Sequence, residues 1–133
     1  MNSQEFAQKL ISLYQKENDR ELTYEALGPY LCEIIESDAG AYKMPLRKNT
    51  MARILHEFYK NILQMEDLDW QDAGKFPDIY DCKVCANSLA QCYVRGLITP
   101  RKHSENSWIL GADDLVSDIE IKEILKKINY DQN

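Results

Sequence analysis

The sequence predicts an all-α fold, a compact bundle of about five helices, and three observations lead there. Apolar residues recur at helical spacing along most of the chain, no window alternates apolar and polar residues for long, and the β-branched residues fall on the helical stripes. Predicted strand content is near zero.

Ser3 opens the first helix, in which Phe6, Leu10, Leu13 and Tyr14 stand at i, i+4, i+7 and i+8 with Ala7 and Ile11 beside them. The polar run from Lys16 to Glu21 ends it. Gly28-Pro29 interrupts the next apolar pattern, because a proline inside a helix loses a hydrogen bond and clashes with the preceding turn. A single turn from Thr23, then a helix with Pro29 at its first position, satisfies that constraint. Asp38 to Pro45, which contains Gly40, reads as a loop.

Asn49 to Met65 is the clearest helix, since Met51, Ile54, Leu55, Phe58, Ile62 and Met65 fall within about 100° of one another on the helical wheel. Glu66, Asp67, Asp69 and Asp72 mark an acidic, solvated connector running to Asp78. A calcium loop starting at Asp67 would need glycine at its sixth position, where Asp72 stands. The next helix starts near Asp78 or Asp81, with Cys82, Cys85, Ala86, Leu89 and Tyr93 on its inward stripe, and Gly96 stops it with Leu97 packing back. Pro100 to Asn106 reads as a polar loop and "SWILG" as a short extended piece. Ser117 and Glu120 then form a capping box, with Val116 placed to staple against Ile121, and Ile121, Ile124, Leu125 and Ile128 give the buried stripe.

The 133 residues carry 16 Lys and Arg against 22 Asp and Glu, a formal charge of −6. A chain of this length buries roughly two-thirds of its unfolded surface, enough for one domain over residues 1–133 without metal or disulfide support. Acidic balance without a basic block argues against nucleic acid as a partner. Nothing approaches the run of about 20 apolar residues that a membrane helix needs. The first 25 residues lack a secretory pattern, so the expected location is cytoplasmic; for a fragment of an exported protein it would be the cell envelope. Cys32, Cys82, Cys85 and Cys92 are too few and too closely spaced for a secreted disulfide scaffold and read as reduced.

From Phe76 to Ile128 the chain reads "FPD", a helix ending "YVRGLITP", a loop with "WILG", then "LVSDIEIKEILKKI". That order resembles an S-layer homology repeat: a Phe-x-Asp opening, a first helix closing on Gly-Ile/Leu-Ile, a loop, and a second helix opening on a Thr-Arg-Ala-Glu-like box. Residues 76–128 are the best match. Residues 22–65, with "LTYEAL" and "PLRKNTMARIL", resemble a degenerate unit of the same kind.

The resemblance implies a non-enzymatic binding module attached to cell-wall polysaccharide, its box arginine meeting an acidic sugar as a guanidinium meets a carboxylate. Here the arginine position is occupied by Asp118, Tyr24 and Lys48. Only Lys48, beside Arg47, keeps a cation, and Arg47, Lys48, Arg101 and Trp108 are the expected glycan contacts. Loss of the arginine favours the alternative, an intracellular protein–protein interaction domain that retains the fold. Incomplete repeats also leave room for an oligomer.

Cys82-x-x-Cys85 has the spacing of half a zinc site, with His56 as a third ligand and Cys92, Cys32 or His103 as a fourth, and a further alternative is therefore a small zinc-stabilised domain. The competing reading is that the cysteines are small core hydrophobes and that no cofactor is held. A redox Cys-x-x-Cys of the thioredoxin kind needs a β-α-β setting, which the pattern lacks. His56 without a visible nucleophile reads as an interior histidine, so catalysis is not expected. Trp70 and Trp108 read as anchors of connector and loop to the core, and Arg101 to His103 as an exposed loop tip.

Overall fold

The computed structural model of the chain describes residues 1–38 and 44–130. Most of the expected loop at 38–45, Gly40 included, lies outside the described residues. Among those described there are five α-helices: α1 (Ser3–Asn18), α2 (Pro29–Asp38), α3 (Lys48–Glu57), α4 (Ala86–Val94) and α5 (Asp118–Lys127). They are joined by one antiparallel hairpin of β1 (Arg101–Ser104) and β2 (Ser107–Ile109).

The hairpin corrects the all-α expectation and the loop expected at 100–106. The fold is mostly helical, with a small sheet. Its register pairs Arg101 with Ile109, Lys102 with Trp108 and Ser104 with Ser107, with an irregularity between Lys102 and Ser104. Every residue of β1 is exposed and none of β2 is buried, so burial imposes no alternation on either strand. A period of two is unreadable over three or four such residues.

Elsewhere the apolar stripes place the helices as expected. Phe6, Ala7, Leu10, Ile11 and Tyr14 of α1 pack with Leu31 and Ile35 of α2 and with Met51, Ile54 and Leu55 of α3. Ile121 and Ile124 of α5 and Leu89 of α4 join the same cluster. Phe58 lies inside it, edge-on to Tyr14 at 6.2 Å and to Tyr130 at 6.0 Å. Pro29 opens α2 after a 3-10 turn, Tyr24–Leu27, as the Gly28-Pro29 pair requires.

Two helix boundaries differ from expectation. After Glu57 the chain widens into a π-helical turn, Phe58–Ile62, and the Leu63 amide donates to the Phe58 carbonyl at 3.0 Å. Gln64 then takes a left-handed conformation with φ 57°. The turn keeps Phe58, Tyr59, Ile62 and Leu63 buried but rotates Met65 off the stripe and into solvent. The cysteine helix likewise starts late, as a 3-10 turn Lys83–Cys85 leading into α4.

The starts of α1, α3 and α5 are laced together. Asn2 and Glu5 form a capping box on α1, and Ser117 and Glu120 form the expected one on α5. Arg47 provides no side-chain cap for α3. The amides of Lys48 and Asn49 donate instead to the carbonyls of Asp114 and Ala112, each at 2.9 Å, so the loop before α5 caps α3. Val116 donates to Leu46, and Leu46 to Met1, each at 3.0 Å. Bridges between Asn2 and Pro45 and between Arg47 and Leu115 complete this hub.

Candidate functional site

The hub depends on a buried carboxylate. Asp78, in the Phe-Pro-Asp segment, accepts the amides of Leu110 and Gly111 at 2.9 Å and of Ala112 at 3.2 Å. Three donors on one anion offset its desolvation and fix the backbone that caps α3. Sequence reasoning read Asp78 as a helix start and as the acid of the Phe-x-Asp opening, but not as an acceptor for the loop before α5. The signal available was its place in Phe-Pro-Asp ahead of a glycine-containing loop and a capping box.

That loop carries Asp113 and Asp114, and the expected glycan cations gather around it. Arg101 reaches the Asp114 carboxylate with two nitrogens, at 2.5 and 3.0 Å. Lys48, nearly buried, lies 3.4 Å from Glu120 and 4.0 Å from Asp114. Arg47 donates to the Asp113 carbonyl at 2.6 Å. The hydrogen bond from Arg101 holds the Asp114 carboxyl below the usual carboxylate range.

The structure thus brings Arg47, Lys48 and Arg101 to one loop, where each has an internal partner. Trp108 is not with them. It pairs with Lys102, whose ammonium lies 5.9 Å from the ring centroid, while Arg101 pairs with Ile109. Adjacent residues of a strand face opposite ways, so Arg101 and Trp108 are on opposite faces of the hairpin. Trp108 is 50% exposed, which corrects its expected role as a core anchor. Trp70 does anchor: it packs against the core, and its indole N–H donates to Asn87 at 2.9 Å.

Beside Lys48 a groove of about 280 Å³ separates α3 from α5. Met51, Leu97 and Ile98 form its buried floor and Ile119 its exposed margin, while Glu120, Glu123 and Lys127 line it on the α5 side and Lys48 on the α3 side. Ile119 is the most exposed of the large apolar side chains among the described residues. The Gly96 turn places Leu97 and Ile98 here, and Lys127 donates to the Gly96 carbonyl at 3.0 Å.

The acidic connector is solvated as expected, with Glu66, Asp67, Asp69 and Asp72 all exposed, and it is also held in place. Its backbone and side chains are stapled to α4 and α3. Gln91, almost wholly buried, accepts from the Leu68 amide and donates to the Leu68 carbonyl, both at 2.8 Å. Tyr93 donates to Asp72 at 2.9 Å, and Arg95 to the Glu66 carbonyl at 3.0 Å. Asp67 accepts from Asn87 at 2.9 Å and meets His56 Nε2 at 2.7 Å.

His56 Nδ1 is in turn 3.2 Å from the Ser88 hydroxyl. His56 and Ser88, but not Asp67, line a cavity of about 680 Å³ together with Arg53 and Lys60. Exposure runs against a hydrolytic arrangement, because the Asp67 side chain is 43% exposed whereas Ser88 is 6% exposed. A catalytic triad buries its orienting acid and presents its nucleophile. The network holds the connector to the two helices.

Cys82 and Cys85 are joined by a disulfide, which corrects the expectation that all four cysteines are reduced. Residues three apart at a helix start reach each other without any other element moving, and their Cα atoms are 5.1 Å apart. His56 is engaged with Ser88 and Asp67. Among the described residues no group of three or more His, Cys, Asp or Glu side chains is placed to hold a metal ion. No helix among them is long and apolar enough to cross a membrane. No family model, curated protein or solved structure matches the chain.

Proposed function

We propose that this chain is a binding module on an S-layer-homology-like plan, and that its partner is a polypeptide received in the groove between α3 and α5. One observation carries the choice of partner. The cations that would meet an acidic wall sugar are already paired, Arg101 and Lys48 with carboxylates and Arg47 with a backbone carbonyl. An acidic polysaccharide would have to displace Asp114 and Glu120 from a chain of net charge −6.

The groove differs in having an apolar floor, and its rim carries both signs of charge, Lys48 and Lys127 beside Glu120 and Glu123. With Ile119 exposed at the margin it suits an apolar side chain of a polypeptide flanked by polar or charged residues. The S-layer-homology-like plan is supported by the Asp78 clamp within "FPD", which ties the opening of the best-matching unit to the loop before its second helix.

A photo-crosslinking residue at position 119, expressed in the native cells, should trap discrete polypeptides, and one at Lys9 on α1 should not. Equal trapping at both positions, or none at 119, would overturn the reading. A second reading rests on Trp108, whose exposed ring is a surface of the kind on which sugars stack. Retention on an uncharged glycan that disappears in Trp108→Ala would favour it.

A further inference from the structure

We propose that Cys82–Cys85 is a redox-active pair that exchanges disulfide with a dithiol of a partner polypeptide. The bond joins residues three apart within one turn and ties no distant elements together. A cross-link removes less chain entropy the shorter the loop it closes, so stabilising the fold is a weak reason for this one.

Its location supplies a better reason. Cys82 precedes the 3-10 turn Lys83–Cys85, and Cys85 is the capping residue of α4. Both sulfurs thus belong to the amino end of a helical stretch running from Lys83 to Val94, where backbone amides favour a thiolate. The two are unequally accessible: Cys82 is partly exposed and Cys85 is 3% exposed. That assigns Cys82 as the sulfur attacked and Cys85 as the leaving group. Beside them Tyr80 is 61% exposed and Val84, between the cysteines, is 68% exposed. Exposed apolar side chains around an accessible sulfur suit a polypeptide substrate.

In the exchange a partner thiolate attacks Cys82 Sγ, the Cys82–Cys85 bond breaks, and Cys85 leaves as a thiolate. The partner's second thiolate then attacks the partner sulfur of the mixed disulfide and expels the Cys82 thiolate. Two protons from the partner dithiol end on Cys82 and Cys85. The partner loses two electrons, and this pair gains them. Cys32 and Cys92 stand outside the exchange. Both are buried, and burial pushes the Cys92 thiol up to about 12.

The test uses the purified full chain in reduced and oxidised glutathione mixtures, followed by acid quenching, alkylation and peptide mass analysis. The pair should titrate between dithiol and disulfide while circular dichroism stays native. Cys85→Ser should accumulate a glutathione adduct on Cys82 at least about tenfold faster than Cys82→Ser accumulates one on Cys85. Reduction only when the chain unfolds, or equal adduct formation by the two variants, would overturn the proposal. The wild-type titration decides alone if either variant fails to fold: a pair that stays oxidised in the folded chain rejects it.

Discussion

Asp78 and Gly111 are 33 positions apart in sequence, yet the carboxylate of the first accepts the backbone amide of the second at 2.9 Å. With Leu110 and Ala112 also donating, the acid sets the path of the loop whose carbonyls cap α3 and whose Asp114 collects Arg101 and Lys48. One buried side chain therefore orders both the hub and the charges around it. Asp78→Ala should destabilise the fold by about 3 kcal/mol or more, since three amides lose a charged acceptor in a buried place. Asp78→Asn, which turns one accepting oxygen into a donor, should recover only part of that. Urea denaturation monitored by circular dichroism measures both.

Gly111 and Gly96 separate backbone strain from side-chain collision. Their φ values are 75° and 76°, so alanine is strained at either position. A Cβ at Gly111 also runs into the Asp114 carboxylate, whereas at Gly96 it meets open space. Gly96→Ala should cost about 1 kcal/mol, and Gly111→Ala clearly more. Their melting temperatures, compared in one buffer, check the order.

Acid should weaken both the hub and the attachment of the connector in a defined direction. Arg101 holds the Asp114 carboxyl below its ordinary value of 3.8. For Asp67, burial pushes upward, but the hydrogen bonds from Asn87 and His56 outweigh it and the net direction is also down. A carboxyl whose folded value lies below its unfolded one contributes stability that is present above the unfolded value and lost as pH falls through the folded one. The urea midpoint should therefore fall below about pH 4, and Asp114→Asn should flatten that limb. An unchanged limb in the variant would show that the Arg101 pair contributes nothing to it.

Gln91 forms with Leu68 a pair of bonds like those between two strands, using a side-chain amide for one of them. Gln91→Ala should cost about 1–3 kcal/mol and expose the Leu68 amide to exchange. Hydrogen exchange at Leu68 should accelerate strongly, while amides within α1 keep their protection at matched stability.

Local signals were legible and long-range ones were not. The α1 stripe, the Pro29 start and the Ser117–Glu120 box each depend on residues within one or two turns, and the chain follows them. Met65 was misplaced because periodicity assumes that the helix keeps its pitch, and the π-helical turn at Phe58–Ile62 changes it. The hairpin was hidden because neither strand has a buried residue. Arg47, Lys48 and Arg101 were recognised as chemically important, but the groups they meet, the Asp113 carbonyl for Arg47 and the Glu120 and Asp114 carboxylates for Lys48 and Arg101, lie 13 or more positions away. The acids were visible in the sequence; their closure onto those cations was not, because it requires the Asp78 clamp.

The most direct measurement is sedimentation of the purified chain with acidic wall polysaccharide, comparing wild type with Asp114→Ala. If the cations are held internally, wild type remains in the supernatant and the variant, with Arg101 and Lys48 released from Asp114, gains retention. Wild-type sedimentation that Arg47→Ala or Lys48→Ala abolishes would contradict the account.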